Sequence, residues 1–439
     1  MQRPDSRPIP RFSKIVAFLA LVAAGMPVAA QTTFTVTSTD DTGDIYPGDD
    51  LCQDINASCT LRAAIEEANA NSASDIEIDF SLGDAPPFTI DVNSSLRIER
   101  DNVTIDGTTQ STAPDPEIEL DGNDGDYSAF VIEGDSNEIR GLSIFNFEEG
   151  GIVIDGNRNS IVENLIGADT QGNAPGGAGT GVLLLYQSSL NFIGKPGEGN
   201  IIVDFFRGIH VGATDDPPFG DTGDADGNTI QDNIIGALST SGPVAGNTQH
   251  GIMIQDSDGN IVGGDRTQFE SNMIVDNGGR GIYAFGSDET RILGNLVGIS
   301  PGGDPMGNDG AGIEIADASL SHIGEAPTDE TGNIVADNGG EGILIAEISG
   351  PAGTGNTIAA NEIDAIDISG GPLIIEGNGG ASISDYGTKT VIGGNPSGDG
   401  NTIHVNPIEL HGTDAYLARN SFTTIEDDCI RITGSQNTV

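Results

Sequence analysis

GIVI (151–154), GVLL (181–184), GIHV (208–211), GIMI (251–254), GIYA (281–284), GIEI (312–315) and GILI (342–345) are one short glycine-led segment written seven times. The intervals are 30, 27, 43, 30, 31 and 30 residues. A repeat of this length marks units that cannot bury an apolar face alone and must stack on their neighbours. In each segment the two flanking aliphatic residues point one way and the residue between them points the other. Stacking therefore builds an aliphatic interior beneath an outer face of mixed residues.

A second repeat is interleaved with the first. NLIG at Asn164, NIIG at Asn233 and NLVG at Asn295 recur at intervals of 69 and 62, each followed by a loop rich in Gly, Pro and Asn. Between them FIG, IVG, HIG and VIG end at Gly194, Gly263, Gly324 and Gly393, each leading through a polar loop to NII, NMI, NIV or NTI. The repeating unit is thus a pair of unlike rungs of about thirty residues each. The elements are short, rich in Ile and Val and punctuated by Gly, Asn and Asp, which reads as strand and turn. The expectation is an all-β, right-handed parallel β-helix over residues 86–439, its recurring turn asparagines stacked into a hydrogen-bonded ladder. A β-sandwich would not need a repeat of 61 to 69 residues.

The chain opens differently. Arg3, Arg7, Arg11 and Lys14 precede the apolar run IVAFLALVAAGM, and Val28 and Ala30 fit the small-residue cleavage pattern, so residues 1–30 read as an export signal. The run is too short to span a bilayer and no second candidate follows, so no transmembrane segment is expected in the mature chain. Removing the signal takes away four positive charges and Asp5, leaving 13 Lys and Arg against 66 Asp and Glu, a net of −53. Nucleic acid is excluded as a partner for such a surface. Residues 31–85 form a cap: TFTVTST alternates like a strand, and Leu61, Ala64, Ile65 and Ala68 share one face of a helix that Thr60 caps. Cys52 and Cys59, in an exported chain, are expected to form a local disulfide that pins this cap, with a metal pair as the alternative. Cys429 is left alone.

FTVTSTDDTGD followed by CTLRAAIEEANA resembles the CSLREA segment that opens many exported bacterial β-helix proteins. That family's Ser and Glu would form a capping box; here Thr60 keeps the cap and Ala63 replaces the Glu. VTIDGTTQ at Val103, the NLIG loop at Asn164 and the FIG-to-NII units resemble the accompanying parallel β-helix repeats of the pectate-lyase-like fold. The resemblance implies fold and export across nearly the whole mature chain, and it implies no particular activity.

Three groups of residues are candidates for chemistry. The interval between Gly208 and Gly251 carries about 13 extra residues, including Asp221, Asp224 and Asp226, whose carboxylates on a glycine-rich backbone suit Ca²⁺, as does DGNDGD at 121–126. Neither has EF-hand spacing, and solvated loops are the plainer reading. The outward residues of the repeated strand form a column, Val153, Leu183, His210, Met253, Tyr283, Glu314 and Leu344. In it Tyr283 offers a stacking face for a sugar and His210 or Glu314 a proton-handling group, against the reading of an ordinary sheet face. Finally IEDDC resembles the DDC segment of polygalacturonases, glycoside hydrolases whose paired aspartates would match Asp427 and Asp428. The glycine-histidine-glycine and arginine-x-lysine segments that follow in that family are absent, and CIRI at Cys429 also reads as one more strand of the repeat. Polysaccharide lyases on this fold use calcium and a Lys or Arg base. The mature chain has two lysines, Lys195 and Lys389, and among the glycine-led repeats its arginines come nearest one another at Arg280 and Arg291.

The function expected from sequence is a secreted or cell-surface glycan-binding or adhesion-type protein. A carbohydrate-active enzyme with its site on the outer groove is the alternative. Because Val439 falls in mid-unit, the chain is expected to be the front part of a longer protein.

Overall fold

The computed structural model describes residues 31–83, 85–111, 115–175, 177–212, 225–242, 244–325 and 330–346, with further strands traced as backbone between 356 and 432. Each coil lays down three strands, and every pairing between them is parallel, strand to the equivalent strand one coil later. The first ladder holds the glycine-led repeats, Gly150–Ile154, Thr180–Leu184, Arg207–Gly212, Ile252–Gln255, Ile282–Phe285, Ile313–Ala316 and Ile343–Ala346. The second runs through Ser160–Val162, Phe192–Ile193, Thr229–Ile230, Ile261–Gly263, Arg291–Leu293 and His322–Ile323. The third runs through Leu165–Ile166, Ile201–Ile202, Ile234–Ile235, Met273–Ile274, Leu296–Val297 and Ile334–Val335. This is the right-handed parallel β-helix expected from the repeat.

The paired rungs are unlike because their connections alternate. From the third ladder to the first, the chain makes long excursions at 167–179, 236–251 and 298–312 and short ones at 203–206, 275–281 and 336–342. From the second ladder to the third the alternation is reversed, short at 163–164 and long at 194–200 in the first pair. At these two corners the protruding loop therefore alternates from coil to coil.

Inside, Ile152, Ile154, Val182, Leu184, Ile209, Val211, Ile252 and Ile254 are wholly buried, as are their successors to Ile345. Burying each such side chain stabilises by about 1.5–3 kcal/mol. The leading glycine is a matter of space. A Cβ at Gly208 would stand 2.6 Å from the carbonyl oxygen of Gly251 and 2.8 Å from Ile235 Cγ2, so any side chain would push two coils apart. At the corner between the second and third ladders Asn164, Asn200, Asn233, Asn272, Asn295 and Asn333 are buried. Each passes its backbone N–H and side-chain amide to the next Oδ1, at 2.9–3.3 Å. The expected ladder forms, and two others accompany it, Asn137–Asn159–Asn191–Asn228–Asn260 and Asn247–Asn277–Asn308–Asn338.

The helix expected over CTLRAAIEEANA spans Leu61–Ala70, and Thr60 Oγ1 accepts from Ala63 N at 3.0 Å. Its buried face joins the core of the first strands. Cys52 and Cys59 are disulfide-bonded. The acidic loop before them is tied to the helix. The wholly buried Glu67 carboxylate accepts from Gly48 N and Asp50 N, Glu66 accepts from Asp44 N, and Arg62 holds Asp41 at 2.9 Å. Among the described residues no helix is long and apolar enough to cross a membrane.

Candidate functional site

The first ladder brings the sequence-derived column together in register: Val153, Leu183, His210, Met253, Tyr283, Glu314 and Leu344 face one another rung by rung. Neighbours in such a column stand about 4.8 Å apart. Backbone register carries the column on through Asp367, Ser384, Glu409 and Arg431.

The middle of this column is covered, which the pattern of residues does not reveal. His210 is 1 % exposed, Met253 7 % and Glu314 6 %. The cover comes from the residue just before each leading glycine, which supplies Arg207, His250 and Arg280 on three successive coils. Arg280 lies over the Tyr283 ring, its guanidinium carbon 4.4 Å from the centroid. It also grips both oxygens of Glu314, one through Nε and the other through Nη2 at 3.1 Å. His250 stands 5.4 Å from the Tyr283 ring centroid and accepts the Arg280 backbone N–H on Nδ1 at 3.1 Å. Arg207 donates to Gln249 Oε1 at 2.6 Å and makes a long contact, 3.5 Å, with His210 Nδ1. A guanidinium can only donate, so Nδ1 of His210 accepts and the proton sits on Nε2. That buried N–H has no hydrogen-bond partner.

Burial, reinforced by Arg207 and only partly countered by Gln255, pushes His210 down to about 3. Gln255 is near enough to weigh on the charge but does not stand in hydrogen-bond geometry with Nε2. Burial followed by Arg280 and Arg207 lowers His250 to about 4. Both rings are neutral at physiological pH. The ensemble is rich in donors. Its one carboxylate among the described coils, Glu314, is already held by Arg280.

The other candidates fare differently. Asp226 belongs to a corner ladder in which its Oδ1 accepts the Asp258 N–H at 2.7 Å and Asp258 does the same for Asp288. Asp221 and Asp224 lie outside the described residues, as do Asp427, Asp428 and Cys429. Among the described residues no group of three or more His, Cys, Asp or Glu side chains is placed to hold a metal ion. Arg207, His250 and Arg280 were missed as a set because 73 residues of sequence separate the two arginines. The available signal was their shared place one residue before the repeated glycine.

No family model matches the chain. No curated protein matches it either. Solved structures do share its shape. The Dettilon tailspike protein gp208 aligns at 14 % identity over 89 % of this chain and 70 % of its own, with a TM-score of 0.48. The alginate lyase from Paenibacillus sp. str. FPU-7 aligns at 14 % over 91 % of this chain and 99 % of its own, TM-score 0.33. The periplasmic alginate epimerase AlgG aligns at 14 % over 79 % of this chain and 86 % of its own, TM-score 0.40. At these identities the likeness concerns the β-helix alone.

Proposed function

We propose that this chain is an exported β-helix protein that binds a glycan on the outward face of its first ladder, around Arg207, His250, Arg280 and Tyr283, without cleaving it. The observation that carries the reading is the Arg280 guanidinium stacked on Tyr283 and fixed by Glu314. A planar donor fork held rigid beside an aromatic ring suits the oxygen-rich edge of a sugar, and its fixed geometry lowers the entropy cost of binding. Export is supported by the signal-like first thirty residues and by the disulfide, which suits an oxidising compartment. Glycoside hydrolysis by the usual route needs two carboxyl groups flanking the bond, and Glu314 is committed to Arg280. Calcium remains a proposal for the loop that contains Asp221 and Asp224.

The rival reading, a carbohydrate-active enzyme, draws on one feature: neutral His250 beside Tyr283, a pair suited to proton transfer. Retention of the purified protein on immobilised neutral and acidic polysaccharides, with calcium and with chelator, separates the two. Binding without release of reducing ends or unsaturated products, lost in Arg280→Ala and Tyr283→Ala, is the expected result. Turnover on any substrate that disappears in His250→Ala makes the protein an enzyme. Unchanged retention in the Arg280 and Tyr283 variants removes the site from this face.

A further inference from the structure

The strand Thr32–Val36 opens the second ladder, and its partner is Ile76–Phe80. Thr32 N donates to Asp75 O and Val36 O accepts from Ser81 N, so Thr32, Phe34 and Val36 spend their backbone groups on that partner. In a parallel ladder the alternate residues then point theirs the other way. Those are Thr33 and Thr35, both exposed. Among the described residues nothing pairs with the N–H and C=O groups they present.

The cap treats the first ladder differently. Beside its strand Leu96–Ile98 the edge groups are taken up by side chains of the helix Leu61–Ala70. Arg62 donates to Ser94 O at 2.7 Å, and Asn69 donates to Arg97 O at 2.9 Å and accepts from Glu99 N at 3.0 Å. One edge is dressed and the other is left bare. A bare edge is a template for another strand, and proteins blunt such edges with charge, proline or a bulge. TTFTV, in unbroken register with its partner, has none of the three.

The bare edge forms one wall of a cleft of about 260 Å³, with Thr33, Phe34 and Thr35 on one side and Leu51, Cys52 and Cys59 on the other. The disulfide ties that second wall together. The loop that carries it exposes Ile45, Tyr46, Leu51 and Ile55, at 44 % to 80 %, where the terminal unit of a solenoid needs a polar outer face. The surroundings are anionic: residues 31–59 hold six aspartates and no Lys, Arg or His. Among the described residues the one ion pair here joins Arg62 to Asp41. Asp44, Asp49 and Asp50 accept from neutral amides, which leaves their charge uncompensated.

We propose that this end of the solenoid docks an extended segment of a partner protein as one more strand along Thr33 and Thr35. Its aliphatic side chains enter the cleft, and Lys or Arg at the alternate positions meets the aspartates. Main-chain bonds supply the affinity in such strand addition, and the cleft and the charge supply the selection. A second copy of this chain is the poorer occupant, since its cap carries the same uncompensated aspartates. The edge lies several coils from the Arg280–Tyr283 face, and the results below do not bear on that reading.

The test is fluorescence anisotropy of a labelled, end-blocked octapeptide of alternating Val and Lys, titrated with the purified chain. Beside it run the Val and Glu octapeptide and a fully N-methylated Val and Lys octapeptide. The first should bind, the second at least about tenfold more weakly, and the third, which keeps the charge and lacks the donors, not at all. Raised salt should weaken the first. Thr35→Pro removes an edge N–H that the ladder does not use and is tolerated on an edge strand; it should weaken the first peptide about tenfold with the thermal midpoint unchanged. Leu51→Ser, at an exposed position, should weaken it several-fold. Equal binding of the Lys and Glu peptides, binding of the methylated peptide, no binding of any of the three, full binding by either variant, or a dimer of the chain alone that Thr35→Pro dissolves would each overturn the assignment.

Discussion

Two columns run side by side through the described coils, one at a corner of each turn and one on a strand face. The corner column from Asn164 to Asn333 repeats one residue on every coil, because each amide must satisfy a backbone carbonyl of the preceding coil, out of reach of water. The outward column of the first ladder changes residue from each coil to the next: Leu183, His210, Met253, Tyr283 and Glu314 follow one another. Uniformity marks positions that hold coils together, and variety marks positions that the stacking leaves open to other uses. The contrast is one of consequence: a ladder amide has no substitute, whereas a column side chain answers only to its immediate neighbours.

The contrast can be broken most forcefully at Asn233. Its amide donates to Ile193 O, Gln231 O and Asn272 Oδ1 and its Oδ1 accepts from Asn200, all buried but the part-buried bond to Gln231. Asn233→Ala should cost about 3–5 kcal/mol, several unmade buried hydrogen bonds at once, read as a large fall in the denaturant midpoint. A loss below about 1 kcal/mol would mean that the ladder is decoration.

His210 sharpens the comparison from the other side. Its folded pKa of about 3 lies below the 6.5 of an ordinary imidazole. The unfolded chain therefore binds the proton more readily, and the stability this group confers is present above pH 6.5 and is lost as pH falls towards 3, by about 1.4 kcal/mol per pH unit. His210→Leu should leave stability at pH 7 unchanged or raise it by about 1 kcal/mol, since a buried N–H without a partner is removed. It should also flatten the acid limb of the stability curve. Parent and variant limbs of equal slope would contradict the buried, neutral ring.

The smallest effect belongs to Glu314→Gln. Arg280 is partly exposed and solvent screens its ion pair, so thermal unfolding should report a loss of about 1 kcal/mol or less, well under that at Asn233. Parity between the two variants would erase the distinction between the columns.

Much of this was legible in advance. The glycine-led repeat places Val153 to Leu344 in the register observed, the asparagine turns stack, Thr60 caps the helix and Cys52 bonds Cys59. Other features were not. The cover over His210 comes from Arg207 and its surroundings, including Gln249 some forty residues away. The tie between the acidic loop at 40–50 and the helix that follows it shows only in the structure, where Glu66 and Glu67 accept the loop's backbone N–H groups.

The sequence by itself determined the fold, the coil length, the pairing of unlike coils and the membership of each column. In a solenoid every coil touches only its neighbours, so a period in the chain is a contact in space. Only the tertiary structure decided which column positions see water, which histidines stay neutral, and which strand edge is capped while another is left bare. Those properties depend on loop lengths and on side chains arriving from other coils, and burial is set by the sum of such neighbours rather than by any residue's own type.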